Sequence, residues 1–357
     1  MIVFDHVVPP ANIDSAELQR KIRGFVSRQG IENFFMEGVC HQILAERFVK
    51  PGDIVIGADS HTCTHGAFGA FATGVGSTDI AAVFATGEIW LRVPESIKLD
   101  VKGSLTKGVF AKDLILHIIG MMGANGANYK AVEFCGEAVE SLSVSSRLTI
   151  TNMAIEMSAK SGIIGADDKL SQFLNSRQGT RQGMVFSSDE NANYADEIEI
   201  NASSIEPTIA CPHAVDNTKV VTEVWGTEIN QAYLGSCTNG RLEDIAMAVR
   251  IIKGEKVARG VRFVITPASK EVYGAALREG YIEELMRAGG IVCNPNCGPC
   301  VGRHQGVLAA GEVCISTMNR NFKGRMGSPD SEIYIASPAT VTASAIEGKI
   351  VDPRLYL

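Results

Sequence analysis

Short apolar runs alternate with glycine-containing turns and with longer amphipathic stretches along the chain. The short runs have the length of strands, and the longer stretches repeat apolar residues with the period of a helix. Strands are predicted at 1–4, 31–35, 53–57, 229–234, 262–266 and 313–317, and helices at 15–29, 111–121, 145–159, 242–252 and 269–279. This repeated strand–turn–helix order predicts an α/β fold with largely parallel, doubly wound sheets.

Three α/β subdomains are predicted from the same pattern, at 1–95, 96–205 and 206–357. The polar stretch 165–195, rich in Gln, Ser, Arg and Asp, is predicted to be a surface helix and a connection. A chain of 357 residues is long enough for two or three such units, each with its own core.

Composition and charge narrow the classes of function. Hydrophobic residues make up 45% of the chain, but we find no apolar run of 18 residues and therefore expect no membrane span. The net charge is −7 without a long basic run, which argues against nucleic acid as the main partner. The first residues do not resemble a signal peptide, so we expect a cytoplasmic protein with reduced thiols.

Polar, ionisable residues follow three of the predicted strands. They are Asp5-His6 after the first strand, His41 after the second, and Asp59-Ser60-His61 after the third. Open α/β sheets place their sites at the carboxyl ends of strands. These residues are therefore candidates for catalysis.

Cys297 and Cys300 form a Cys-x-x-Cys pair within a turn that contains Pro299 and flanking glycines. Such a pair is typical of half a zinc site, of a thioredoxin-like redox motif or of a cluster site. No second close pair completes a zinc site, and the position near the chain end is unusual for a thioredoxin motif. Adding Cys293 gives the Cys-x3-Cys-x2-Cys spacing of radical S-adenosylmethionine enzymes, again unusually late in the chain, and a turn with buried thiols is the structural alternative.

Cys237 shifts the balance towards a cluster. It lies in another strand-to-helix turn, between Gly235 and Gly240 and beside polar side chains. Backbone amides and hydroxyls in such a turn can donate hydrogen bonds to sulfides and thiolates. Three thiolates on a four-iron cluster would leave one iron free to act as a Lewis acid.

Five ordered motifs resemble the signatures of the aconitase family. They are Asp5-His6, Asp59-Ser60-His61-Thr62, Gly235-Ser236-Cys237-Thr238-Asn239, Cys297-Gly298-Pro299-Cys300 and Asn319-Arg320-Asn321-Phe322-x-Gly324-Arg325. The resemblance covers essentially the whole chain. It implies an aconitase-like fold, in which three α/β subdomains pack around a central iron–sulfur cluster site.

The resemblance also implies roles for individual residues. Cys237, Cys297 and Cys300 would bind a [4Fe-4S] cluster with one iron open to substrate. The family pairs Asp5 with His6, Asp59 with His41, and Glu156 with His61, and a carboxylate beside an imidazole fixes its tautomer for proton delivery. The residues implied as catalytic are Asp5, His6, His41, Asp59, Ser60, His61 and Glu156, and those implied to bind substrate are Asn152, Asn319, Arg320 and Arg325.

The implied activity is that of a hydro-lyase. It would isomerise 2-isopropylmalate to 3-isopropylmalate through isopropylmaleate, a step of leucine biosynthesis, with homocitrate or a related 2-hydroxy diacid as the alternative substrate. The swivelling domain that carries the catalytic serine base would be a separate small subunit. Family large subunits have a segment before the Asp-His motif, so a truncation, an alternative start or a divergent member is expected. An RNA-binding regulator and an inactive relic are the alternatives from other classes.

Overall fold

The structure is a computed structural model that describes residues 1–175 and 186–357. The chain divides into two compact units, which we call unit 1 (residues 1–43 and 209–357) and unit 2 (residues 44–208). Both units contain parallel β-sheet and helices, so the predicted α/β class is confirmed. The division into three subdomains stays a prediction.

The strands of the described chain are short. They are β1 (Ile2–Val3), β2 (Phe34–Phe35), β3 (Ile54–Gly57), β4 (Phe71–Gly74), β5 (Ser96–Lys102), β6 (Ala131–Cys135), β7 (Ser161–Ile163), β8 (Asp196–Asn201), β9 (Thr208–Ala210), β10 (Thr218–Val220), β11 (Gln231–Leu234), β12 (Arg262–Ile265), β13 (Ile291–Val292), β14 (Val313–Ser316) and β15 (Glu332–Ile335).

The helices follow the predicted pattern with shifted ends. They are α1 (Ile13–Arg28), α2 (Cys40–Arg47), α3 (Ser77–Thr86), α4 (Ala111–Met122), α5 (Glu137–Ser141), α6 (Val144–Met153), α7 (Asp168–Asn175), α8 (Ser236–Asn239), α9 (Leu242–Ile252), α10 (Lys270–Arg278), α11 (Tyr281–Arg287) and α12 (Pro338–Glu347). Residues 176–185 of the predicted surface segment lie outside the described residues. No helix among those described is long and apolar enough to cross a membrane.

Unit 1 is built on a seven-stranded sheet with the order β10-β9-β15-β14-β11-β12-β13. Its central strands pair in parallel, with Leu234 of β11 opposite Ile265 of β12, whereas β9 runs antiparallel to β15. All four residues of β11 are buried. The main core of this unit lies between the sheet and helices α9, α10, α11 and α12. Because β11, β13 and β14 are parallel, the segments that follow them leave the same edge of the sheet.

Unit 2 contains a four-stranded parallel sheet, β7-β6-β5-β8, and the parallel pair β3-β4. A 3-10 helix (Ser60–Phe68) follows β3 and packs against α6 and β7. At Gly66 an added Cβ would collide with the carbonyl of Gly162, which explains why a glycine stands there. The predicted helix at 145–159 is split into α6 and a 3-10 turn (Ala154–Met157).

Candidate active site and cysteine centre

Three buried thiols lie in two turns of unit 1. The Cys237 turn (residues 235–240) follows β11, and the CxxC turn (residues 296–302) follows β13. Cys237, Cys297 and Cys300 are 7%, 3% and 4% exposed, and they belong to one buried cluster. Cys293, which sequence reasoning left out of this trio, is only half-buried.

Each of the three sulfurs receives a hydrogen bond from a nitrogen. The side-chain amide of Asn319 donates to Cys237 over 3.1 Å, and the Arg325 guanidinium donates to Cys300 over 3.3 Å. His6 makes hydrogen bonds to both Cys297 and Cys300. N–H donors aimed at sulfur stabilise thiolates and therefore sulfur-bound metal centres.

The Asp5 carboxylate orients His6. One oxygen lies 2.8 Å from His6 Nδ1, and the other accepts the backbone N–H of Cys40 at the start of α2 over 3.1 Å. A potential ligand atom of Asp5, of His6 and of Cys297 all lie within 4.8 Å of one another. The Cys297 thiolate, helped by Asp5, raises the pKa of His6 well above its usual range.

The electrostatics of Cys300 favour its thiolate. Burial raises the pKa of this thiol, but the hydrogen bond from His6 and the charge of Arg325 outweigh it, so that the pKa is lowered overall. The two cationic side chains that sequence reasoning placed near the cluster thus act directly on this sulfur.

Arg241 and Asp244 hold the Cys237 turn, and sequence reasoning missed both. The buried Arg241 guanidinium donates to the carbonyls of Thr238 and Cys237 over 2.5 and 2.8 Å and to the side chain of Gln42 over 3.1 Å. Asp244 accepts the backbone N–H of Arg241 and the side-chain amide of Asn239, both over 2.9 Å. Burial raises the pKa of Asp244 to about 6. The spacing of Arg241 and Asp244 is that of a helix capping box, the one available signal.

The remaining unit 1 candidates fall into two groups. His41 is 3% exposed in the first turn of α2, and Arg320 is half-buried after β14. Asn321, between the two arginines of its motif, donates to the carbonyls of Cys211 and Ile333 and is therefore a structural residue. The pairing of His41 with Asp59 joins residues of different units and stays a prediction.

Unit 2 brings together the second histidine–carboxylate pair. His61 Nε2 lies 2.9 Å from a Glu156 oxygen, and His61 Nδ1 lies 3.4 Å from Asp59 Oδ1. Asp59 also accepts the backbone N–H of His61 over 2.7 Å and so caps the 3-10 helix that Ser60 begins. A carboxylate at each ring nitrogen fixes the orientation of the imidazole.

Asn152 packs against the same 3-10 helix. Its side-chain amide donates to the Thr64 hydroxyl over 2.7 Å, and the residue is fully buried. Cys63, from the same helix, lies 3.4 Å from the Asn152 carbonyl. Asn152 and Glu156, which lie four positions apart in the sequence, thus both contact the segment that carries His61.

Comparison with known proteins identifies relatives over the whole chain. The sequence profile of the aconitase family (aconitate hydratase) matches residues 11–227 and 217–348. The 3-isopropylmalate dehydratase large subunit 1 of Methanopyrus kandleri is 52% identical, over 100% of this chain and 86% of that protein. The probable methanogen homoaconitase large subunit of Methanothermobacter thermautotrophicus is 53% identical, over 99% of this chain and 83% of that protein.

Among solved structures, the holo-form of aconitase X from Thermococcus kodakaraensis has a similar fold. The TM-score is 0.58 and the sequence identity 14%, and the match covers 94% of this chain and 78% of that one. The aconitase-like fold expected from the motifs is thereby confirmed.

Proposed function

Because the chain belongs to the aconitase family, we propose that it is the large subunit of a hydro-lyase that isomerises 2-isopropylmalate to 3-isopropylmalate. The observation that carries this proposal is the trio of buried thiols, each with a nitrogen donor directed at its sulfur. The RNA-binding and relic alternatives do not account for this arrangement as well, because it serves a metal centre.

The donor set fits an iron–sulfur cluster held by Cys237, Cys297 and Cys300. When bound, a [4Fe-4S] cluster with three protein thiolates supplies one iron as a Lewis acid for a hydroxyl and a carboxylate. The chain's own contribution is to neutralise the thiolates: Asn319, His6 and Arg325 place N–H groups on all three sulfurs.

Arginines are the natural partners of the substrate, which is a dianion at neutral pH. Arg325 already directs one nitrogen at Cys300, and a guanidinium has four further N–H groups for a carboxylate. Arg320, half-buried and five residues earlier, is the second candidate. We assign both arginines, together with Asn152 and Asn319, to substrate binding.

Proton transfer falls to the histidine–carboxylate pairs. In the reaction the C2 hydroxyl leaves as water and C3 loses a proton, which gives isopropylmaleate; water then adds with the opposite regiochemistry. We assign the proton at His61 Nε2, shared with Glu156, to the leaving oxygen, with Asp59 and Ser60 beside it. His6, bound through Nδ1 to Asp5, and His41 complete the catalytic set.

The proton at C3 requires a base that we assign to a small subunit. Relatives of this chain carry the words "large subunit" in their names, which supports a partner polypeptide. A second candidate substrate, homocitrate, has equal support, since relatives named homoaconitase are 53% and 54% identical to this chain.

The test is an anaerobic assay of the reconstituted chain with a small subunit on 2-isopropylmalate and on homocitrate. We expect turnover of 2-isopropylmalate only when both polypeptides are present. Turnover of homocitrate alone would replace the first substrate by the second. Absence of the broad visible absorbance of an iron–sulfur cluster after reconstitution would contradict the proposed cofactor.

A further inference from the structure

We propose that Tyr233 is a positioning residue that holds the Cys237 turn and the CxxC turn at a fixed spacing. Its significance for catalysis rests on the proposed function, because the spacing of the two turns sets the spacing of the three thiols. No motif contains Tyr233, and its strand position would ordinarily indicate a core residue only.

Tyr233 faces the thiols because of its place in β11. Its neighbours Ala232 and Leu234 belong to the main apolar core of unit 1, whereas Tyr233 packs in the cluster that contains Cys237, Cys297 and Cys300. This alternation follows from the two-residue period of a strand. The side chain is completely buried, and its backbone carbonyl accepts the N–H of Thr317, which fixes its height in the sheet.

The Tyr233 hydroxyl connects two segments that are far apart in the sequence. It donates to the carbonyl of Cys297 over 3.2 Å and lies 2.6 Å from the hydroxyl of Thr266. A carbonyl can only accept, so the single phenolic proton belongs to the Cys297 bond and Thr266 donates to the phenolic oxygen. The Cys297 carbonyl, the carbonyl of a thiol-bearing residue, is thus held by the strand that leads to Cys237.

Both turns approach this hydroxyl pair as closely as a backbone can. A Cβ added at Gly235 would lie 2.7 Å from the Tyr233 hydroxyl and would collide with the Thr266 hydroxyl. A Cβ added at Gly298 would lie 2.6 Å from the Tyr233 hydroxyl. Gly235 opens the Cys237 turn and Gly298 lies inside the CxxC turn, so one hydroxyl contacts both turns.

A rigid contact on both sides makes the hydroxyl a spacer. If either turn moved towards the other it would clash with the phenol, and if the CxxC turn moved away it would lose the Cys297 bond. A phenylalanine at 233 would keep the ring but leave the buried Cys297 carbonyl without this donor. We therefore expect the two turns to loosen together.

The test compares Tyr233→Phe with Tyr334→Phe. Tyr334, in β15 of the same sheet, is half-buried and bonds to the side chain of Thr227, so it is a matched hydroxyl deletion away from the thiol turns. Amide hydrogen exchange is measured on the cluster-free chain. Tyr233→Phe should raise exchange in residues 235–240 and 296–302 together, by about 2- to 12-fold, the factor that one net hydrogen bond contributes.

A second readout is the reconstituted protein. Tyr233→Phe should release iron to a chelator faster than Tyr334→Phe and should shift the iron–thiolate stretching bands in the resonance Raman spectrum. Unchanged exchange in both turns, or a change in one turn only, would overturn the inference. If wild type assembled no cluster, the proposed function would fail while the exchange comparison still decided the role of Tyr233.

Thr266 supplies a further pair of variants in case Tyr233→Phe does not fold. Thr266→Val removes the hydroxyl that donates to Tyr233, whereas Thr266→Ser keeps it. Faster exchange of both turns in Thr266→Val, restored in Thr266→Ser, is the expected result. Equal exchange in the two variants would reject the spacer.

Discussion

The side-chain amide of Asn319 donates a hydrogen bond to the sulfur of Cys237 over 3.1 Å, and both residues are buried. The two residues are 82 positions apart and meet because β11 and β14 are parallel neighbours in the sheet. Arg325 stands in the same relation to Cys300. The segment after β14 thus supplies N–H donors to thiols from both turns.

Replacing Asn319 by Ala should move the midpoint potential of the reconstituted cluster to more negative values. An N–H donor to a coordinating sulfur stabilises the more negatively charged, reduced state, so its loss favours the oxidised state. A redox titration followed by EPR measures the shift. Asn321→Ala is the matched control, because its amide donates to backbone carbonyls, and it should lower stability without moving the potential.

Loss of the His61–Glu156 interaction should impair turnover without removing the cluster. We expect Glu156→Gln and His61→Asn each to lower kcat by roughly 10²- to 10⁴-fold, the usual contribution of a positioned acid or base. The visible absorbance of the cluster should stay at the wild-type level, since neither residue donates to a thiol in the bonds described above. Wild-type kcat in Glu156→Gln would remove the pair from the mechanism.

The sequence predicted the thiols and their donors because these residues fall in short motifs. His61 and Glu156 lie 95 positions apart, and only the match of two motifs to one family pattern predicted that they pair. Arg241 and Tyr233 escaped prediction for a physical reason. Their partners are backbone carbonyls, of Thr238, Cys237 and Cys297, and a carbonyl has no residue type that a pattern could reveal.

Long-range packing was likewise beyond the sequence pattern. Residues 1–43 belong to the same unit as residues 209–357, and the backbone N–H of Cys297 donates to the carbonyl of Asp5 over 2.9 Å. Alternating apolar runs predict that strands exist but not which distant strands and loops meet. The motif Asp5-His6 indicated a site, and only the fold places it beside the CxxC turn.

Arg241→Met should destabilise the cluster-free chain by about 3–5 kcal/mol, because it breaks a buried charged network and leaves Asp244 buried without its neighbouring cation. The double variant Arg241→Met, Asp244→Asn should recover part of this loss, since it removes the isolated carboxylate. Urea unfolding of the single and double variants measures both effects. A loss below about 1 kcal/mol for Arg241→Met would mean that the guanidinium adds little to stability.

The ion pair between Arg262 and Glu312 should give the chain an acid-sensitive contribution to stability. Two guanidinium nitrogens each lie 2.8 Å from a Glu312 oxygen, and this pairing lowers the pKa of Glu312 from its ordinary value of 4.5. A carboxyl whose pKa is lower in the folded state stabilises that state above its unfolded pKa and loses the effect as pH falls through the folded pKa. Because the Arg262 side chain is 41% exposed, we expect only about 0.5–1 kcal/mol.

Glu312→Gln is the variant that tests this contribution. Its deficit in unfolding free energy relative to wild type should be fully present at neutral pH and should shrink as the pH falls below about 4.5, where the wild-type carboxylate becomes protonated. Glu332→Gln, an exposed glutamate at the start of β15, serves as control and should show no such pH-dependent deficit. A Glu312→Gln deficit that stayed constant from neutral pH into the acid range would show that the pair acts through packing and not through charge.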